Sequence, residues 1–265
     1  MTVTAKISAI IPTCDRTDYF PEAIASIRAQ TLQPTEIIVA NNGKHPLPQK
    51  SLGEGVQILN LDPYVGVSAA RNAGAKAASG DYFAFLDDDD VWDAGFLKHL
   101  AQKLEDENAD CAVADIYFFN EHTEPYLHIS FADKAREKNF IKKMPVKNQG
   151  LYGGNFIVAK DAFKYINGFD EDLSLAEDDV FCCKLQFNGY KAVGEKKARY
   201  YLRDHSNLRL TNAKKPELNK AYISTRMKQY HKLKQWMSFW QRVKYVKKVW
   251  KTGAKYRIKS IFNHS

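Results

Sequence analysis

Four consecutive aspartates, Asp87 to Asp90, directly follow the apolar stretch DYFAFL at 81–86. Neighbouring carboxylates repel one another, and burying a carboxylate is costly unless a positive partner compensates its charge. Mg2+ or Mn2+ would supply that partner, because both prefer oxygen ligands and commonly combine one or two carboxylates with substrate phosphates. In an extended segment Asp87 and Asp89 would face one site and Asp88 would face away.

A second acid cluster, Glu177-Asp178-Asp179, opens a predicted helix in AEDDVF. A carboxylate in this position could act as a general base on an acceptor hydroxyl. Both clusters also have a structural explanation. In the first, Asp90 or Asp93 could cap the next helix, and in the second, acids favour a helix N-terminus because of its dipole. For AEDDVF taken alone, the structural explanation is the stronger one.

The elements around the first cluster alternate between buried strands and helices. Apolar runs and helical spacing predict strands at 6–12, 35–42, 56–62 and 81–86, and helices at 17–31 and 66–78. This alternation indicates βαβ units, an α/β fold and a mostly parallel central sheet flanked by helices. Ligands bind at the carboxyl ends of such strands, where the polar clusters PTCDR, NNG and DDDD all fall.

The second half of the chain is less regular. CAVADIYFFN at 111–120 predicts a strand, and 121–150 is polar and predicts an irregular loop region. Residues 153–173 predict a strand, a short helix and a turn, and 176–190 predict a helix that ends at Asn188-Gly189.

Several motifs, in this order, resemble the inverting glycosyltransferases of family 2, which have the GT-A fold. The motifs are IIPTCDR, EIIVANNG, GVSAARNAGAKAASGDYFAFLDDDD, GGNFIV, INGFDE and AEDDVFCCKLQFNGYKAV. The resemblance runs from about Ile7 to His205, and the segment from Ala70 to Asp89 is its most specific part. It implies a metal-dependent enzyme of the hexosyltransferase type that moves a sugar from a nucleotide-diphosphate donor to a glycan hydroxyl.

The resemblance also implies roles for individual residues. Asp89 would bind Mn2+ or Mg2+ between the donor phosphates, and His205 could approach the same metal. Asp178 would be the catalytic base, and Glu177 would orient the acceptor or hold the loop, although the two roles could be exchanged. The nucleotide sugar would contact a set of residues at the strand ends, namely Pro12, Thr13, Asp15, Asn42, Arg71, Asp87 and Asp88. Gly154 and Asn155 would contact the acceptor.

Two positions depart from the family pattern. Cys14 and Asp15 stand where the family usually has an aromatic residue followed by Asn, and Cys14 cannot stack on a base. Asn42 stands where an Asp commonly binds the uracil imide. The Asn42 side-chain oxygen can still accept a hydrogen bond from a pyrimidine N3–H, so a UDP- or dTDP-sugar remains the favoured donor.

The C-terminal part of the chain is strongly basic. The net charge is +8, yet no Asp or Glu follows Glu217, while 13 Lys and Arg residues lie between Lys220 and Lys259. Within 228–260, apolar side chains recur at helical spacing, namely Trp236, Phe239, Trp240, Val243, Val246 and Trp250. A basic, Trp-rich amphipathic helix is typical of contact with an anionic membrane surface. Docking of this stripe on the protein's own core is the alternative, and nucleic acid is a less favoured partner.

These patterns give the expected domain organisation. Residues 1–215 would form the GT-A domain, with 1–105 binding the nucleotide sugar and 106–215 the acceptor, and 216–265 would form a basic helical tail. We expect no signal peptide and no membrane span, since no apolar run reaches the roughly 20 residues that a span needs. The cysteines lack metal or disulfide spacing, which favours the cytoplasm, at the inner face of the membrane.

Two other functions fit parts of the sequence. A sugar-nucleotide nucleotidyltransferase would share the parallel sheet and the acid–metal site, but it should carry a Gly-rich, basic phosphate loop, which PTCDRTD is not. A non-catalytic membrane- or nucleic-acid-binding protein would use the basic tail alone. The acceptor would be a glycan or a lipid-linked glycan, in bacterial surface polysaccharide or lipopolysaccharide synthesis.

Overall fold

The computed structural model describes residues 5–16, 18–47, 52–120, 123–137, 140–143, 150–173, 175–204 and 215–262. The strands are Ile7–Thr13 (β1), Glu36–Asn41 (β2), Val56–Asn60 (β3), Tyr82–Phe85 (β4), Val91–Trp92 (β5), Cys111–Asn120 (β6), Thr123–Ile129 (β7), Phe156–Ala159 (β8) and Ala192–Arg203 (β9). The helices are Phe20–Arg28 (α1), Val67–Ala77 (α2), Phe96–Glu107 (α3), Phe131–Ala135 (α4), Phe140–Lys143 (α5), Lys160–Tyr165 (α6), Glu177–Phe187 (α7), Lys215–Leu233 (α8) and Phe239–Phe262 (α9).

The first half of the chain forms the parallel arrangement that the sequence predicts. β3, β2, β1 and β4 lie side by side and run in the same direction. Thr13 pairs with Asn41 at the end of β1, and Ile10 pairs with Phe85 at the end of β4. Because parallel strands end at the same edge of a sheet, the three polar clusters of the sequence meet there.

Five further strands of mixed direction complete the sheet, in the order β3-β2-β1-β4-β8-β6-β9-β5, with β7 paired to β6. β8 is antiparallel to both β4 and β6, and β9 runs parallel to β6. The prediction of an irregular loop over 121–150 is wrong for its first part. Residues 123–129 form β7, which pairs with β6, and 131–135 and 140–143 form short helices.

Apolar layers cover both faces of the sheet. On one face, side chains of α1 and α3 such as Ile27 and Leu100 lie in the same apolar cluster as Ile11 of β1. On the other face, Phe181 of α7 packs in the same cluster as Ile10 and Phe85. α2 lies close against β1, since a Cβ on Gly74 would come within 2.4 Å of the Ile10 side chain. This close packing fixes the start of α2 beside the strand ends.

The C-terminal residues form two of the expected basic helices, and a turn divides the apolar stripe predicted over 228–260. α8 ends at Leu233, and α9 begins at Phe239 after a short 3-10 turn at Lys234–Trp236. Leu233, Met237 and Tyr245 are buried in the same apolar cluster as Phe181, so this helical hairpin packs on the domain. Within the part of the chain described, no helix has both the length and the apolar character needed to cross a membrane.

Candidate active site

A single arginine joins the two acid clusters of the sequence. Arg71, in the second turn of α2, donates from Nη2 to Asp87 Oδ1 (2.6 Å) and from Nη1 to Glu177 Oε1 (2.8 Å). Its side chain is only 3% exposed and its guanidinium lies over the Phe169 ring. Gly153 is required beside it, because a Cβ there would approach Nη2 to 2.1 Å. The strand-end aspartates and the start of α7 therefore lie on the same side of the protein.

The aspartate run forms a turn, so the predicted alternation of its side chains is wrong. The Asp90 amide donates to the Asp87 carbonyl at 3.2 Å, which closes the turn. Asp88 is buried and accepts a hydrogen bond from Thr13 Oγ1 at 2.7 Å. Arg16 Nη1 lies 2.6 Å from Asp89 and 3.5 Å from Asp88. Asp88 and Asp89 thus share one arginine, while Asp87 turns to Arg71.

Asp90 anchors the last strand instead of capping a helix. Its carboxylate accepts hydrogen bonds from the Tyr200 hydroxyl and from the Arg203 backbone amide, the latter at 2.7 Å. α3 begins after Gly95, whose amide donates to Asp93 Oδ1 at 3.2 Å. Burial raises the pKa of Asp90 well above its ordinary value, and the carboxylates of the neighbouring aspartates add to that effect. A buried acid of this kind holds β9 against the site.

Arginines of the protein itself compensate much of the negative charge of Asp87 to Asp90. Arg71 compensates Asp87, and Arg16 compensates Asp88 and Asp89. Burial nevertheless raises the pKa of Asp88 to about 7, against the lowering effects of Thr13 and Arg16. Asp88 is therefore closer to neutral than a surface carboxylate, which reduces the repulsion within the turn.

Asp89 is the carboxylate best suited to a cation. Its side chain is partly exposed and pairs with Arg16, which is itself half exposed, so a cation could replace Arg16 there. Among the residues that the structure describes, no three His, Cys, Asp or Glu side chains are grouped to hold a metal ion. This donor set fits a cation held by one carboxylate together with substrate phosphates, the way Mg2+ is commonly bound.

The ends of β1 and β2 form a second polar region. Asp15, at a positive φ of 52°, accepts hydrogen bonds from the Lys44 amide (2.9 Å) and the Tyr64 hydroxyl (3.0 Å). These hydrogen bonds, the Lys44 amide first, lower the pKa of Asp15. The Asn42 side chain is buried, and its Oδ1 has no hydrogen-bond partner within the described part of the chain. Tyr64 lies directly beside it, since the Tyr64 amide donates to the Asn42 carbonyl at 2.7 Å.

Asp178, the predicted base, lies in the first turn of α7 between two other acids. Its Oδ1 accepts a hydrogen bond from the Asp179 amide at 2.8 Å, and the residue is half-buried. Withdrawal from solvent raises its pKa well above the ordinary value, and the carboxylates of Glu177 and Asp179 raise it further. A raised pKa makes a carboxylate a stronger proton acceptor and is typical of acid–base groups in active sites.

Comparison with known proteins identifies the family. The family model described as Glycosyl transferase family 2 matches residues 8–166, more than half of the 265 residues. This chain belongs to glycosyltransferase family 2. The uncharacterized glycosyltransferase YwdF of Bacillus subtilis is 39% identical over 119 residues, which is 44% of each chain. The succinoglycan biosynthesis protein ExoW of Rhizobium meliloti is 28% identical over 202 residues, 67% of this chain and 63% of ExoW.

Solved structures agree on the fold. The glycosyltransferase superposes on S. aureus TarS residues 1–349, in a complex with UDP-GlcNAc, with a TM-score of 0.64 and 19% identity. The superposition covers 86% of this chain and 69% of the TarS chain. The expected GT-A fold is thereby confirmed. The match to YwdF and the match to GlyA of Streptococcus pneumoniae span only 44% and 20% of those proteins' lengths.

Four predicted site residues remain, and three of them lie in the described part of this glycosyltransferase. Pro12 lies inside β1, opposite Ala40. Asn155 is fully buried, and its amide donates to the carbonyls of Ala114 (3.0 Å) and Gly150 (2.9 Å). The Gly154 carbonyl accepts from Trp92 Nε1 at 3.0 Å. These contacts engage Gly154 and Asn155 in holding their own loop, so any contribution to an acceptor site would be indirect. His205 lies outside the described residues.

Sequence reasoning did not single out three side chains that the glycosyltransferase places at the site. Arg16 is the last residue of the PTCDR motif and pairs with Asp89, as described above. Tyr64 precedes the Gly66 that opens α2, and its proximity to Asp15 had no local signal in the sequence. Arg203 contacts Glu22 and donates from Nε to the Asp89 carbonyl at 3.0 Å. Acids from several strands meet at this sheet edge and require positively charged side chains nearby. That requirement is the one signal that could have identified Arg16 and Arg203.

Proposed function

We propose that this protein transfers a sugar from a nucleotide-diphosphate donor to a glycan hydroxyl, with inversion at the anomeric carbon. The observation that carries the proposal is the double contact of Arg71 with Asp87 and Glu177. It joins the strand-end acids, where a donor diphosphate would lie, to the helix turn that carries Asp178. The family match favours glycosyl transfer over the nucleotidyltransferase alternative.

The side chains suggest how the transfer would proceed. Asp178 accepts the proton of the acceptor hydroxyl while that oxygen attacks the anomeric carbon from the face opposite the diphosphate. The bond from the anomeric carbon to the diphosphate oxygen breaks as the new bond forms, so a single displacement inverts the configuration. Asp89 would hold Mn2+ or Mg2+, which would act as a Lewis acid on the charge of the departing diphosphate. Arg16 lies next to Asp89 and can neutralise phosphate oxygens once the cation replaces it there.

The region around Asn42 supports a uracil or thymine base. The unpartnered Oδ1 of Asn42 can accept a hydrogen bond from the N3–H of either base, a hydrogen that cytosine lacks. The Tyr64 ring is 65% exposed at this position and offers the aromatic face that Cys14 does not. UDP-GlcNAc is the ligand named for the TarS complex, which is consistent with a uridine donor here.

A screen of sugar nucleotides tests the donor class. We expect UDP- or dTDP-sugars to raise the thermal unfolding temperature with Mn2+ present, and CMP- and GDP-sugars to have less effect. A ligand at about 100 times its Kd stabilises the folded state by about 2.7 kcal/mol, so the shift should be measurable. Asp89→Asn should abolish the metal-dependent thermal shift. Asp81→Asn, at the far end of β4, is the matched control. Metal-independent stabilisation of wild type would contradict the role of Asp89.

The acceptor is a glycan or a lipid-linked glycan, and the proposed setting is the synthesis of bacterial surface polysaccharide at the inner face of the cell membrane. ExoW is named for succinoglycan biosynthesis, which supports this class of product. Membrane contact is supported by α9. Among the side chains of α9 whose burial is described, up to residue 251, Tyr245 and Val249 are buried, whereas Phe239, Trp240 and Trp250 are 69%, 75% and 57% exposed.

Helical spacing gives α9 a second apolar face that is largely exposed. Phe239, Val243, Val246 and Trp250 follow one another at intervals of three or four residues and so lie on one side of the helix. Lys244, Lys247 and Lys251 flank that face. Exposed tryptophans beside lysines suit the interface of an anionic bilayer, where the rings enter the headgroup region and the ammonium groups meet lipid phosphates.

Replacing two tryptophans tests the membrane contact. We expect Trp240→Ser/Trp250→Ser to weaken cosedimentation with phosphatidylglycerol vesicles by roughly tenfold or more, because each buried large apolar side chain contributes about 1.5–3 kcal/mol. Tyr126→Ser, which removes an exposed aromatic from β7, is the control and should bind as wild type does. Equal binding of the double variant, or wild-type binding that does not weaken with added salt, would contradict this surface. Dimerisation through α9, seen by size exclusion, would assign the face to a second copy.

A further inference from the structure

The C-terminal hairpin reaches the turn that carries Asp178 through a buried polar network. Arg226, on α8, donates from Nη1 to Asp179 Oδ2 (3.1 Å) and to Gln229 Oε1 (2.7 Å). Gln229 Nε2 also lies 3.4 Å from Asp179 Oδ2. Tyr245, on α9, donates its hydroxyl hydrogen to Gln229 Oε1 at 2.6 Å. Thus α8 contacts one carboxylate of α7 directly, and α9 supports that contact through Gln229.

The members of this network other than Arg226, which is 32% exposed, lie in the protein interior. Gln229 is 2% exposed, and Asp179 and Tyr245 are also buried. Burial raises the pKa of Asp179, and Arg226 opposes that rise. An unpaired carboxylate in such surroundings would be costly, so the network links the hairpin to α7 more tightly than surface contacts would.

The N-cap residue of α7 provides no side-chain cap for its first turn. That residue, Ala176, adopts a left-handed conformation at φ 61° and makes no side-chain cap hydrogen bond. Instead, Arg71 holds Glu177 from α2, and Arg226 holds Asp179 from α8. Successive side chains of a helix point about 100° apart, so the two anchored acids stand on either side of Asp178.

We propose that Arg226 is a positioning residue for sugar transfer, which orients Asp178 by holding Asp179, and that the C-terminal hairpin is therefore part of the catalytic unit. The inference rests on the proposed function, in which Asp178 is the base. It differs from a purely structural role in one respect. Loss of the Arg226 contact should change the direction of Asp178 without comparable loss of donor binding.

Lys232 provides a matched control on the same helix. Its Nζ pairs with Asp170 and Asp172, both at 3.0 Å, so it docks α8 on the domain without contacting Asp179. It is also separate from the exposed face of α9. Removal of either cation takes one long basic side chain from α8, and only Arg226 lies next to the first turn of α7.

Turnover of the donor found in the screen gives the first measurement. We expect Arg226→Ala to lower kcat by about tenfold to a hundredfold, the scale on which misplacement of a reacting group slows catalysis, with the donor KM changed less than about threefold. Lys232→Ala should stay within about twofold of wild type. Arg226→Lys should recover part of the loss, because an ammonium group can also pair with Asp179 but is carried by a shorter side chain.

Hydrogen exchange gives a second measurement that needs no substrate. The Val180 amide donates to the Ala176 carbonyl at 3.3 Å and reports on the first turn of α7. Exchange at residues 180–183 should rise in Arg226→Ala and remain at the wild-type rate in Lys232→Ala. If wild type turns over no donor, the proposed function fails and exchange alone decides the positioning claim. Equal effects of the two variants on kcat or on exchange would overturn the inference.

Discussion

Asp178→Asn is expected to lower the rate of sugar transfer by about 10²- to 10⁴-fold, the usual contribution of a positioned general base. An amide cannot accept the acceptor's proton, yet it keeps the shape of the side chain and an oxygen for the Asp179 amide, which now bonds to Asp178 Oδ1. Folding and donor affinity should therefore be retained. Steady-state kinetics and the thermal shift with donor measure the two effects separately.

The pH dependence of transfer gives a further sign of this base. A base must be ionised to act, so the rate should rise with pH through the Asp178 pKa. That pKa is raised by withdrawal from solvent and by the carboxylates of Glu177 and Asp179, while Arg71 opposes the rise. The acid limb of the kcat profile should consequently lie above the ordinary carboxylate value of about 4, and Asp178→Asn should lack it.

Glu177→Gln is the matched comparison, because it makes the same acid-to-amide change one residue away. It weakens the contact with Arg71, so we expect a smaller loss of kcat than in Asp178→Asn. A far larger loss in Glu177→Gln, together with substantial transfer by Asp178→Asn, would exchange the two roles.

The first half of the fold was predictable because its determinants are local. Apolar strands such as Ile7–Thr13, the Ala-rich helix Val67–Ala77 and the polar residues at strand ends each follow from a short window of sequence. The aspartate turn was not predictable in this way. Its geometry depends on Arg16, Arg71 and Tyr200, which reach it from distant parts of the chain. Residue spacing alone predicted an extended segment. The structure has a backbone turn there instead, and these contacts hold it.

The break between the two C-terminal helices, α8 and α9, could have been predicted from the sequence. The Ser238 amide donates to Gln241 Oε1 (2.7 Å), and the Gln241 amide donates to Ser238 Oγ (3.3 Å). This reciprocal pair is a capping box, and its S-x-x-Q pattern is visible in SFWQ. The apolar stripe drawn across 228–260 ignored that helix start. Phe239, Val243, Val246 and Trp250 do share a face, whereas Trp236 belongs to the preceding turn and stacks on Phe187.

The polar network of α8 could not be inferred from sequence. Arg226 and Gln229 lie in a basic segment where every lysine and arginine looks equally suited to solvent or to lipid. Only the packing of the hairpin on α7 distinguishes Arg226, which pairs with Asp179, from Lys228, which donates to the Asp172 carbonyl. The expected boundary at residue 215 between a catalytic domain and a tail therefore marks a change in composition more than a break in packing.

Arg71→Met is expected to destabilise the protein by about 3–5 kcal/mol, the usual cost of removing one partner from a buried ion pair. Methionine fills much of the same volume but leaves Glu177 without its cation in a site where its side chain is only 12% exposed. Denaturant unfolding measures the loss. Arg16→Met is the control, because the Arg16 side chain is 46% exposed, and pairs at such sites contribute at most about 1 kcal/mol.

Stability alone does not separate a structural arginine from one that serves catalysis, so the variants of Arg71 and Arg226 have to be compared. Both hold a neighbour of Asp178, one from each side of the α7 turn. If the two contacts orient the same base, either loss already misdirects Asp178. The double variant should then lower kcat by much less than the product of the single effects, because interacting residues are not additive. Since Arg71→Met is costly to the fold, Glu177→Gln can stand in for it in this cycle. If the two losses in kcat multiply in full, the arginines act on separate steps. That result would contradict the proposal that both contacts orient Asp178.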